Sequence, residues 1–487
     1  MGRTLLLWCL LWPLQATAQA EETIAELVAR DGRALLTTGN RVELLVDGPT
    51  AFARRLELLE SARHHLLLST FLWRDDRHGG ELLDRICRLV QERRAEDGEF
   101  TALILVDAGT ATGSGDHRRS VVRRLRRAGA EVRTFHPPTW GVANLFGARL
   151  HDKVMVVDGR RAIVGGRNLS DGYFDPVDSW FDADVLLDGP AVHELQMSFL
   201  KSWVVSGELG RPTRLLRPPE RRLAAVRHLW ATGRFPDGRS PLERFATPGF
   251  FPAPAAHPDG ATVAVLVDNP LVWNRAPTVE VLLGLVRSAR SAIDLTTPFP
   301  TLPPELLEAL VEAVERGVRV RMVLPTTAST IRGGPFWRAT LPSVVRLAQG
   351  GAELWGLRDT RADLDPELLA ACDPRRMPPR SLHAKVVRVD REVTIVTASN
   401  FNVRSTYYNT EAGALIVDRG FARRVEQMFD ELTSQKPVRV PCADADLELG
   451  AMVLDPPLRR IGPKELRAIE SELGGQGRLL ESLSPLW

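Results

Sequence analysis

The sequence predicts an α/β fold of two homologous α/β domains, which form an intramolecular pseudo-dimer with mixed sheets flanked by helices. Two observations lead to this fold class. Strand and helix patterns alternate along most of the chain, and one series of six elements occurs twice in the same order. Strands that alternate with helices of about 10–15 residues indicate βα units and a largely parallel or mixed sheet. The 487 residues are enough for two domains with sizeable cores.

The repeat begins with the strand Val42–Asp47, which recurs as Val263–Asp268. A helix, a strand, a second helix and a third strand then follow in both halves. Their expected ranges, first half against second, are 52–62 and 279–289, 65–72 and 292–297, 81–94 and 304–316, and 101–106 and 318–324. The sixth element contains Ser-Val-Val-Arg, at 120–123 and again at 343–346. Coincidence between two unrelated domains does not explain this shared order, so we expect a fused duplication.

The N-terminus resembles a cleavable secretory signal. Arg3 precedes the apolar run Leu5–Trp12, and the small residues Ala18 and Ala20 come before an acidic start. This is the charged, apolar and small-residue order of such signals. An uncleaved anchor and a buried first helix are the alternatives, although the apolar run is short for a membrane span.

These features divide the chain. We expect a signal peptide over residues 1–20, a first domain over 21–210 and a second domain over 259–440. The stretch 211–258 is rich in Pro and Arg, which indicates a connecting segment. Residues 441–487 form a tail with one expected helix, 463–473, and no recognisable chemistry.

The charge balance and the cysteine spacing make two classes of protein less favoured, dedicated nucleic-acid binders and cysteine-ligated metal proteins. Lys+Arg 63 against Asp+Glu 61 gives a net charge of +2, which does not favour a dedicated nucleic-acid binder, although a local basic cleft stays open. Without the signal, the cysteines are Cys87, Cys372 and Cys442, whose spacing matches no metal site. Three cysteines allow at most one internal disulfide, and buried free thiols are the simpler expectation.

The pattern HxKxxxxD occurs once in each half, at His151–Asp158 and at His383–Asp390. In a strand, residues i and i+2 share a face, so each histidine and its lysine (Lys153 or Lys385) point the same way. The chain has 5 lysines against 58 arginines, yet two of the five occupy this motif position. A role that required only charge would have tolerated Arg, so the lysines indicate chemistry rather than packing.

Further polar residues follow each motif. Asn168 and Asn400 carry amides that can donate to a phosphoryl oxygen. Asp182 and Asp184 in the first half and Glu411 in the second can orient a histidine and fix its tautomer. The alternative for the three carboxylates is solvated loop charge. Asn168, Asn400, Asp184 and Glu411 are therefore the candidate substrate-binding residues.

Two HxKxxxxD motifs, each followed by a segment similar to GSxN, resemble the phospholipase D superfamily, and within it the bacterial cardiolipin synthases. The segments Gly165–Phe174, Trp180–Asp184 and Asn402–Glu411 support this resemblance. The sequence departs from GSxN at Gly166 and Ala398, which replace its serine, and at Thr397, which replaces its glycine. A hydroxyl contact is then either missing or supplied by Ser399 or Thr397.

The resemblance implies a mechanism without metal or cofactor. One histidine attacks phosphorus to form a phosphohistidine, and the other acts as acid and base. It implies His151 as nucleophile and His383 as acid/base, although the pseudo-two-fold symmetry permits the reverse. Lys153, Lys385, Asn168 and Asn400 would hold the non-bridging oxygens. The catalytic candidates also include Asp158 and Asp390, which at the strand ends are expected to shape a turn rather than contact substrate.

Three functions compete. They are transfer of a phosphatidyl group, hydrolysis by a secreted phospholipase D, and a nuclease or catalytically silent module of the same superfamily. Aromatic residues in 137–146 and 335–337 suit a membrane interface, or a buried cluster under a loop. The expected partners are a phospholipid at a membrane surface and an alcohol or water acceptor, with no dedicated nucleic acid. We expect an exported bacterial monomer that is periplasmic, membrane-associated or secreted.

Overall fold

The computed structural model describes the chain over ten main ranges and several short stretches. These are 23–98, 100–107, 115–135, 149–176, 180–209, 219–247, 249–253, 255–326, 334–357 and 381–434, with 373, 379, 436, 438–441, 451–454, 458–462, 464, 467 and 471. The expected signal peptide, the loop 137–146, and Cys372 and Cys442 lie outside the described residues, as does most of the helix expected at 463–473.

The first half contains eight strands and six α-helices among the described residues, and the π-helical turn Val28–Gly32 extends the first helix. The strands are β1 Thr37–Leu45, β2 His65–Thr70, β3 Thr101–Asp107, β4 Glu131–Phe135, β5 Arg149–Leu150, β6 Val154–Val157, β7 Arg161–Gly165 and β8 Asp184–Asp188. The helices are α1 Ile24–Leu27, α2 Gly48–Glu60, α3 Arg77–Asp97, α4 Gly115–Ala128, α5 Asp171–Phe174 and α6 Ala191–Leu209.

The second half repeats this order after the helix α7, Pro219–Thr232, and a 3₁₀ turn, Glu243–Phe245. Its strands are β9 Ala261–Asp268, β10 Ala292–Thr296, β11 Arg319–Pro325, β12 Glu353–Leu357, β13 Val386–Val389, β14 Val393–Thr397, β15 Asn409–Val417, β16 Val438–Pro441, β17 Ala451–Leu454 and β18 Leu458–Arg460. Its helices are α8 Pro277–Ser288, α9 Pro304–Glu315, α10 Gly334–Gln349, α11 Val403–Tyr407 and α12 Arg419–Leu432.

The two halves share one continuous mixed sheet. From the centre outward, the first half has the order β1-β8-β7-β6-β2-β3-β4 and the second half the order β9-β15-β14-β13-β10-β11-β12. The central strands β1 and β9 are antiparallel neighbours. β2, β3 and β4 are parallel to one another, as are β10, β11 and β12. The predicted fold class, two homologous α/β halves in one pseudo-dimer, is confirmed.

Three apolar clusters hold this arrangement. One lies on the outer face of each half, and the third contains residues from both halves, including Trp203 of α6 and Phe429 of α12. Burial of apolar area stabilises by about 25 cal/mol per Å², so the shared cluster joins the halves more strongly than the few β1–β9 hydrogen bonds. Among the described residues, no helix combines the length and the apolarity needed to cross a membrane.

The segment expected to connect the halves also forms part of a core. Leu229, Phe235, Phe245 and Phe250 are buried in the shared cluster. The Phe250 ring stacks on the imidazole of His65 at the start of β2, with 4.1 Å between ring centroids. The described part of this segment, residues 219–247, 249–253 and 255–258, therefore packs against the first half in addition to linking the two.

Two further features bear on the sequence predictions. Trp337 lies in α10 and is buried in the outer cluster of the second half, so it does not face a membrane interface. Cys87 is a half-buried free thiol, and burial raises its pKa.

Candidate active site

The two motif histidines sit just before β6 and β13, and each backbone is held by the opposite half. The His151 amide donates to the Thr410 carbonyl at 3.1 Å, where β5 pairs with β15. The His383 amide donates to the Phe181 carbonyl at 2.7 Å. Both motifs therefore reach the boundary between the halves.

Each histidine is also paired with a carboxylate of the opposite half. His151 Nδ1 lies 2.6 Å from Glu411 Oε2, and His383 Nδ1 lies 2.6 Å from Asp182 Oδ2. A charged carboxylate can only accept, so it fixes the hydrogen on Nδ1 and leaves Nε2 with its lone pair. This is the tautomer that an attacking or proton-accepting imidazole needs.

The lysines are buried beside the histidines. Lys153 Nζ donates to the His151 carbonyl at 2.7 Å, and Lys385 Nζ donates to the His383 carbonyl. Burial lowers the pKa of Lys153 to about 8 and that of Lys385 to about 7. Lys153 also lowers the pKa of Lys385, so the two motifs form one electrostatic cluster. Two cations at one centre suit an anionic group such as a phosphodiester.

The His383 side of the cluster is cationic. Burial, reinforced by Lys385, lowers the pKa of His383 to about 3, against the opposing effect of Asp182. Burial alone would raise the pKa of Asp182, but His383, Lys385 and Arg167 together lower it. Lys385 Nζ also approaches His383 Nδ1 at 2.8 Å. Because Asp182 already receives the Nδ1 hydrogen, this contact brings two donors together and is not a hydrogen bond.

Gly166 makes room for Asp182. A Cβ at Gly166 would lie 2.1 Å from Asp182 Oδ1, a distance that real Cβ atoms do not show. The residue that replaces the serine of GSxN in the first half is therefore required by the carboxylate that orients His383.

The Glu411 carboxylate is held by neutral groups. Ser405 donates its hydroxyl to Oε1 at 2.8 Å, and Asn409 Nδ2 donates to the same atom at 3.1 Å. Burial raises the pKa of Glu411 to about 7 despite the attraction of Lys153. A hydroxyl at this carboxylate thus comes from Ser405. The oxygens of Thr397 and Ser399 accept from the backbone of Ser399 and Phe401.

The structure does not bring Asp184 to either histidine. Its buried Oδ2 accepts from Arg55 at 2.8 Å and from Arg167 at 3.1 Å. Arg167 is itself fully buried and also donates to the carbonyls of Leu45 and Asp182. Our expectation that Asp184 binds substrate is corrected: it neutralises two buried arginines, whose charges would otherwise be costly.

The two asparagines differ in their contacts. Asn168 Oδ1 accepts from the Leu72 amide at 3.2 Å, and its Nδ2 donates to the Tyr173 hydroxyl at 2.7 Å. Asn400 is buried, and its Oδ1 has no hydrogen-bond partner in the described part of the chain. Asn168 is thus fixed by protein contacts through both amide atoms, whereas Asn400 Oδ1 is unpaired and can only accept, so a hydrogen bond from Asn400 to a substrate oxygen would have to come from Nδ2.

Asp158 and Asp390 lie in tight turns beyond the far ends of the motif strands, with φ of 52° at both residues. Asp158 accepts from the amides of Arg63, His64 and His65 at 2.7–2.8 Å. Asp390 similarly accepts from the amides of 290–292. Neither carboxylate contacts a motif histidine. They tie each motif hairpin to the start of the neighbouring strand, which is the turn-shaping role that the sequence predicted for them, rather than a contact with substrate.

Aromatic rings line both histidines. Phe71 approaches His151 edge-on at 4.9 Å between centroids, and Tyr173 approaches His383 at 5.1 Å. Trp180 packs on both Tyr173 and His383. Apolar walls lower the local dielectric and strengthen the ion pairs inside. Within the described ranges, no group of three or more His, Cys, Asp or Glu side chains could hold a metal ion.

Sequence reasoning missed several residues of the site. Arg167 and Tyr173 were quoted only as part of a motif segment, and Asp152 and Asp268 were not singled out. A signal was available for two of them, because Asp152 stands where the second motif has Ala384, and Asp268 ends a repeated strand. The burial of Asp152 and Asp268 is what makes these residues informative about the site, and the sequence pattern could not reveal it.

Known proteins share this organisation. The family described as cardiolipin synthase, PLD-like domain, matches residues 55–203 and 282–433. Cardiolipin synthase A of Pseudomonas aeruginosa strain LESB58 is 29% identical over 396 residues, which cover 80% of this chain and 66% of that protein. Cardiolipin synthase A of Pseudomonas fluorescens strain SBW25 is 28% identical over 404 residues, which cover 82% and 69%. The chain thus spans about two thirds of these relatives.

A solved structure has the same fold. The phosphatidylserine synthase of Haemophilus influenzae Rd KW20 gives a TM-score of 0.63 over 95% of this chain and 100% of that protein, with 16% identity.

Proposed function

Because this chain belongs to the cardiolipin synthase, PLD-like domain family, we propose that it is a phospholipase D-type phosphatidyltransferase, which moves a phosphatidyl group from a phospholipid to an alcohol acceptor. Family membership confirms the resemblance seen in the motifs. One observation carries the proposal: each motif histidine is oriented through Nδ1 by a carboxylate of the opposite half, so two imidazoles are prepared for complementary work at one site.

The proposed reaction has two steps. In the first, Nε2 of one histidine attacks phosphorus and the P–O bond to the headgroup breaks. The second histidine enters this step as an imidazolium, with hydrogens on both ring nitrogens, and protonates the leaving alkoxide from Nε2. In the second, the second histidine takes the proton of an acceptor alcohol, whose oxygen attacks phosphorus while the P–N bond breaks. The free enzyme is restored, and no oxidant or further reactant is needed.

The surrounding residues support the charge changes of these steps. Lys153 and Lys385 would neutralise the non-bridging oxygens, and Asn400 would donate to one of them. A bound phosphodiester would raise the pKa of both lysines again, because an anion favours the ammonium form.

The lipid substrate would place the enzyme at a membrane surface. The favoured donor is phosphatidylglycerol, and transfer of its phosphatidyl group to a second phosphatidylglycerol would yield cardiolipin and glycerol.

Hydrolysis is the second candidate, because water in place of alcohol at the phosphohistidine would give phosphatidic acid. A nuclease is less favoured, since a net charge of +2 provides little general attraction for nucleic acid.

The test is an assay of the purified full chain with vesicles of phosphatidylglycerol, with phosphatidylcholine, and with plasmid DNA. We expect lipid products, and we expect His151→Ala and His383→Ala each to reduce turnover by about 10⁴-fold or more. His228→Ala, an exposed histidine of α7, is the control and should retain full activity. DNA cleavage without lipid turnover, or near-normal activity in either motif variant, would contradict the proposal.

A further inference from the structure

The two halves differ in the charged residues that surround the carboxylate paired with each motif histidine. On the Asp182 side, the cations Lys385 and Arg167 lower the pKa of the carboxyl, and a further acid, Asp184, is paired with Arg167. On the Glu411 side, the neighbours include two more acids, Asp152 and Asp268. The repeat shows that this difference is specific to one half. The counterpart of Asp152 is Ala384, and the counterpart of Asp268 is Asp47, an exposed residue that caps α2.

Asp268 is the direct partner of Glu411. The two residues face each other across the β9–β15 pairing, so their side chains lie on the same face of the sheet. Asp268 is 1% exposed. Its Oδ1 accepts from the Thr278 amide at 2.9 Å, but its Oδ2 has no hydrogen-bond partner among the described residues.

Asp152 approaches the same carboxylate from the first motif, between His151 and Lys153. It is buried, and its Oδ1 has no hydrogen-bond partner in the part of the chain that the structure describes. The neighbouring Thr410 side chain lowers the pKa of Asp152, but by less than burial raises it. Three buried carboxyls of one cluster cannot all carry charge, because each would be desolvated and would repel the others. Protons must therefore remain on some of them.

The electrostatics agree with this geometry. Burial, followed by repulsion from Glu411, raises the pKa of Asp152 to about 7. Burial, helped by Glu411 and Asp152, raises the pKa of Asp268 to about 8. The other charged or titratable groups that face the cluster are His151, Lys153 and Lys385. Burial and mutual repulsion thus hold the pKa of all three carboxyls well above the ordinary value.

We propose that Asp152 and Asp268 are positioning residues that act through Glu411, coupled to it by charge repulsion so that the charge on Glu411, and hence the orientation of His151, is set by the whole cluster. This deepens the proposed function, and it assigns to the His151 arm (His151 with Glu411) an orienting carboxylate that changes charge with pH, which the His383 arm (His383 with Asp182) lacks. A charged Glu411 can only accept, so it fixes the hydrogen of His151 on Nδ1, whereas a protonated Glu411 can itself donate to Nδ1 and no longer specifies the tautomer. Asp182 is held charged by its cations, so His383 stays oriented across the same pH range.

Charge repulsion sets the direction in which the pKa of Glu411 should move. When a neighbouring carboxyl is made neutral, Glu411 loses a repulsion that opposes its ionisation, so it becomes charged at lower pH. The acid limb of the pH–rate profile should therefore move to lower pH, by on the order of one unit, in Asp152→Asn and in Asp268→Asn. Asparagine keeps the shape and the acceptor oxygen of aspartate, so both variants preserve the backbone contacts.

Two readouts on the full chain test this. The first is kcat and kcat/KM for phosphatidylglycerol vesicles from pH 5 to pH 9. The second is the nitrogen NMR shift of the His151 ring in histidine-labelled protein, identified by its loss in His151→Asn, which needs no substrate. Asp47→Asn is the matched control, because it makes the same change at the repeat-equivalent position on the surface.

We expect the acid limb and the midpoint of the His151 titration to move together in Asp152→Asn and Asp268→Asn and to stay fixed in Asp47→Asn. A reduced kcat with an unchanged pH profile and an unchanged His151 midpoint would overturn the proposal and leave a packing role. If the wild type turned over no lipid, the proposed function would fail, while the His151 titration would still decide this inference.

Discussion

At the scale of single residues, the site depends on how carboxylates are placed rather than on the histidines alone. Asp182 and Glu411 make the same 2.6 Å contact with Nδ1 but sit among opposite charges. The same motif thus provides two chemically different arms. A reaction that needs one imidazole to attack and another to exchange protons gains from this asymmetry, because the two tasks favour different proton affinities.

Gly166 provides a test at this scale. Gly166→Ala introduces a Cβ into the space of the Asp182 carboxylate, which must move away from His383. We expect kcat to fall by about 10- to 100-fold, the usual cost of misplacing a catalytic group by about 1 Å. Steady-state kinetics and the denaturant midpoint would be measured together. Ala398→Gly, the reverse exchange at the equivalent position, should change stability by about 1 kcal/mol with little effect on kcat. Wild-type kcat in Gly166→Ala would show that Asp182 does not orient His383.

At the scale of elements, the start of β2 is unusual because it buries a histidine without hydrogen bonds. His65 is 0% exposed, and neither ring nitrogen has a hydrogen-bond partner among the described residues. Burial lowers its pKa to about 4, partly offset by Asp158. The folded chain therefore binds fewer protons at this site than the unfolded chain, whose histidine titrates near 6.5.

This imidazole should make folding sensitive to acid. Its contribution to stability is complete above about pH 6.5 and is lost as the pH falls towards 4, by about 2–3 kcal/mol. His65→Leu should remove that part of the pH dependence, as measured by urea unfolding at several pH values between 4 and 7. His228→Leu, at an exposed position, should keep the wild-type slope. Equal slopes in His65→Leu and wild type would refute this account.

The positions of the strands were more predictable from the sequence than the contacts between side chains. The repeat located β2, β3, β10 and β11 because strands that are buried along nearly their whole length leave an almost continuous apolar run. The histidines and lysines were identifiable because a spaced motif occurs twice. Asp182 and Glu411 were identifiable as carboxylates that could orient a histidine, but the histidine that each one orients was not, since the His383–Asp182 pair joins residues 201 positions apart and depends on how the halves dock. Asp184 was misjudged for the same reason: its partner Arg55 lies 129 positions away.

At the scale of the whole molecule, the site exists only because the halves are docked. The backbone amide of each motif histidine donates to a carbonyl of the other half, and its ring is paired with a carboxylate of the other half. The sheet order places β1 and β9 at the centre, and a shared apolar cluster lies beside them. The pseudo-dimer thus forms within one chain the kind of shared site that a symmetric dimer forms from two chains. Because the halves are fused, their two histidine–carboxylate pairs can differ in sequence and in chemistry.

Asn40 tests this dependence, because its fully buried amide joins three elements. Nδ2 donates to the Ala261 carbonyl of β9 at 3.3 Å and to the Thr37 carbonyl at 2.7 Å, and Oδ1 accepts from the Ala191 amide of α6 at 2.8 Å. Asn40→Ala leaves buried groups unpaired, so we expect a loss of about 2–4 kcal/mol in the free energy of unfolding. The exposed Asn274→Ala should cost less than about 0.5 kcal/mol.

The form of the Asn40→Ala unfolding curve matters as much as its midpoint. With one shared sheet and one shared core, tryptophan fluorescence and activity should disappear in a single coincident transition in both wild type and variant, shifted to lower denaturant in the variant. Turnover per folded molecule should stay near wild type, because Asn40 is remote from the histidines in the sheet order. Activity lost well before fluorescence would show instead that the halves separate before they unfold, and that the central strands and the shared cluster do not bind them into one cooperative unit.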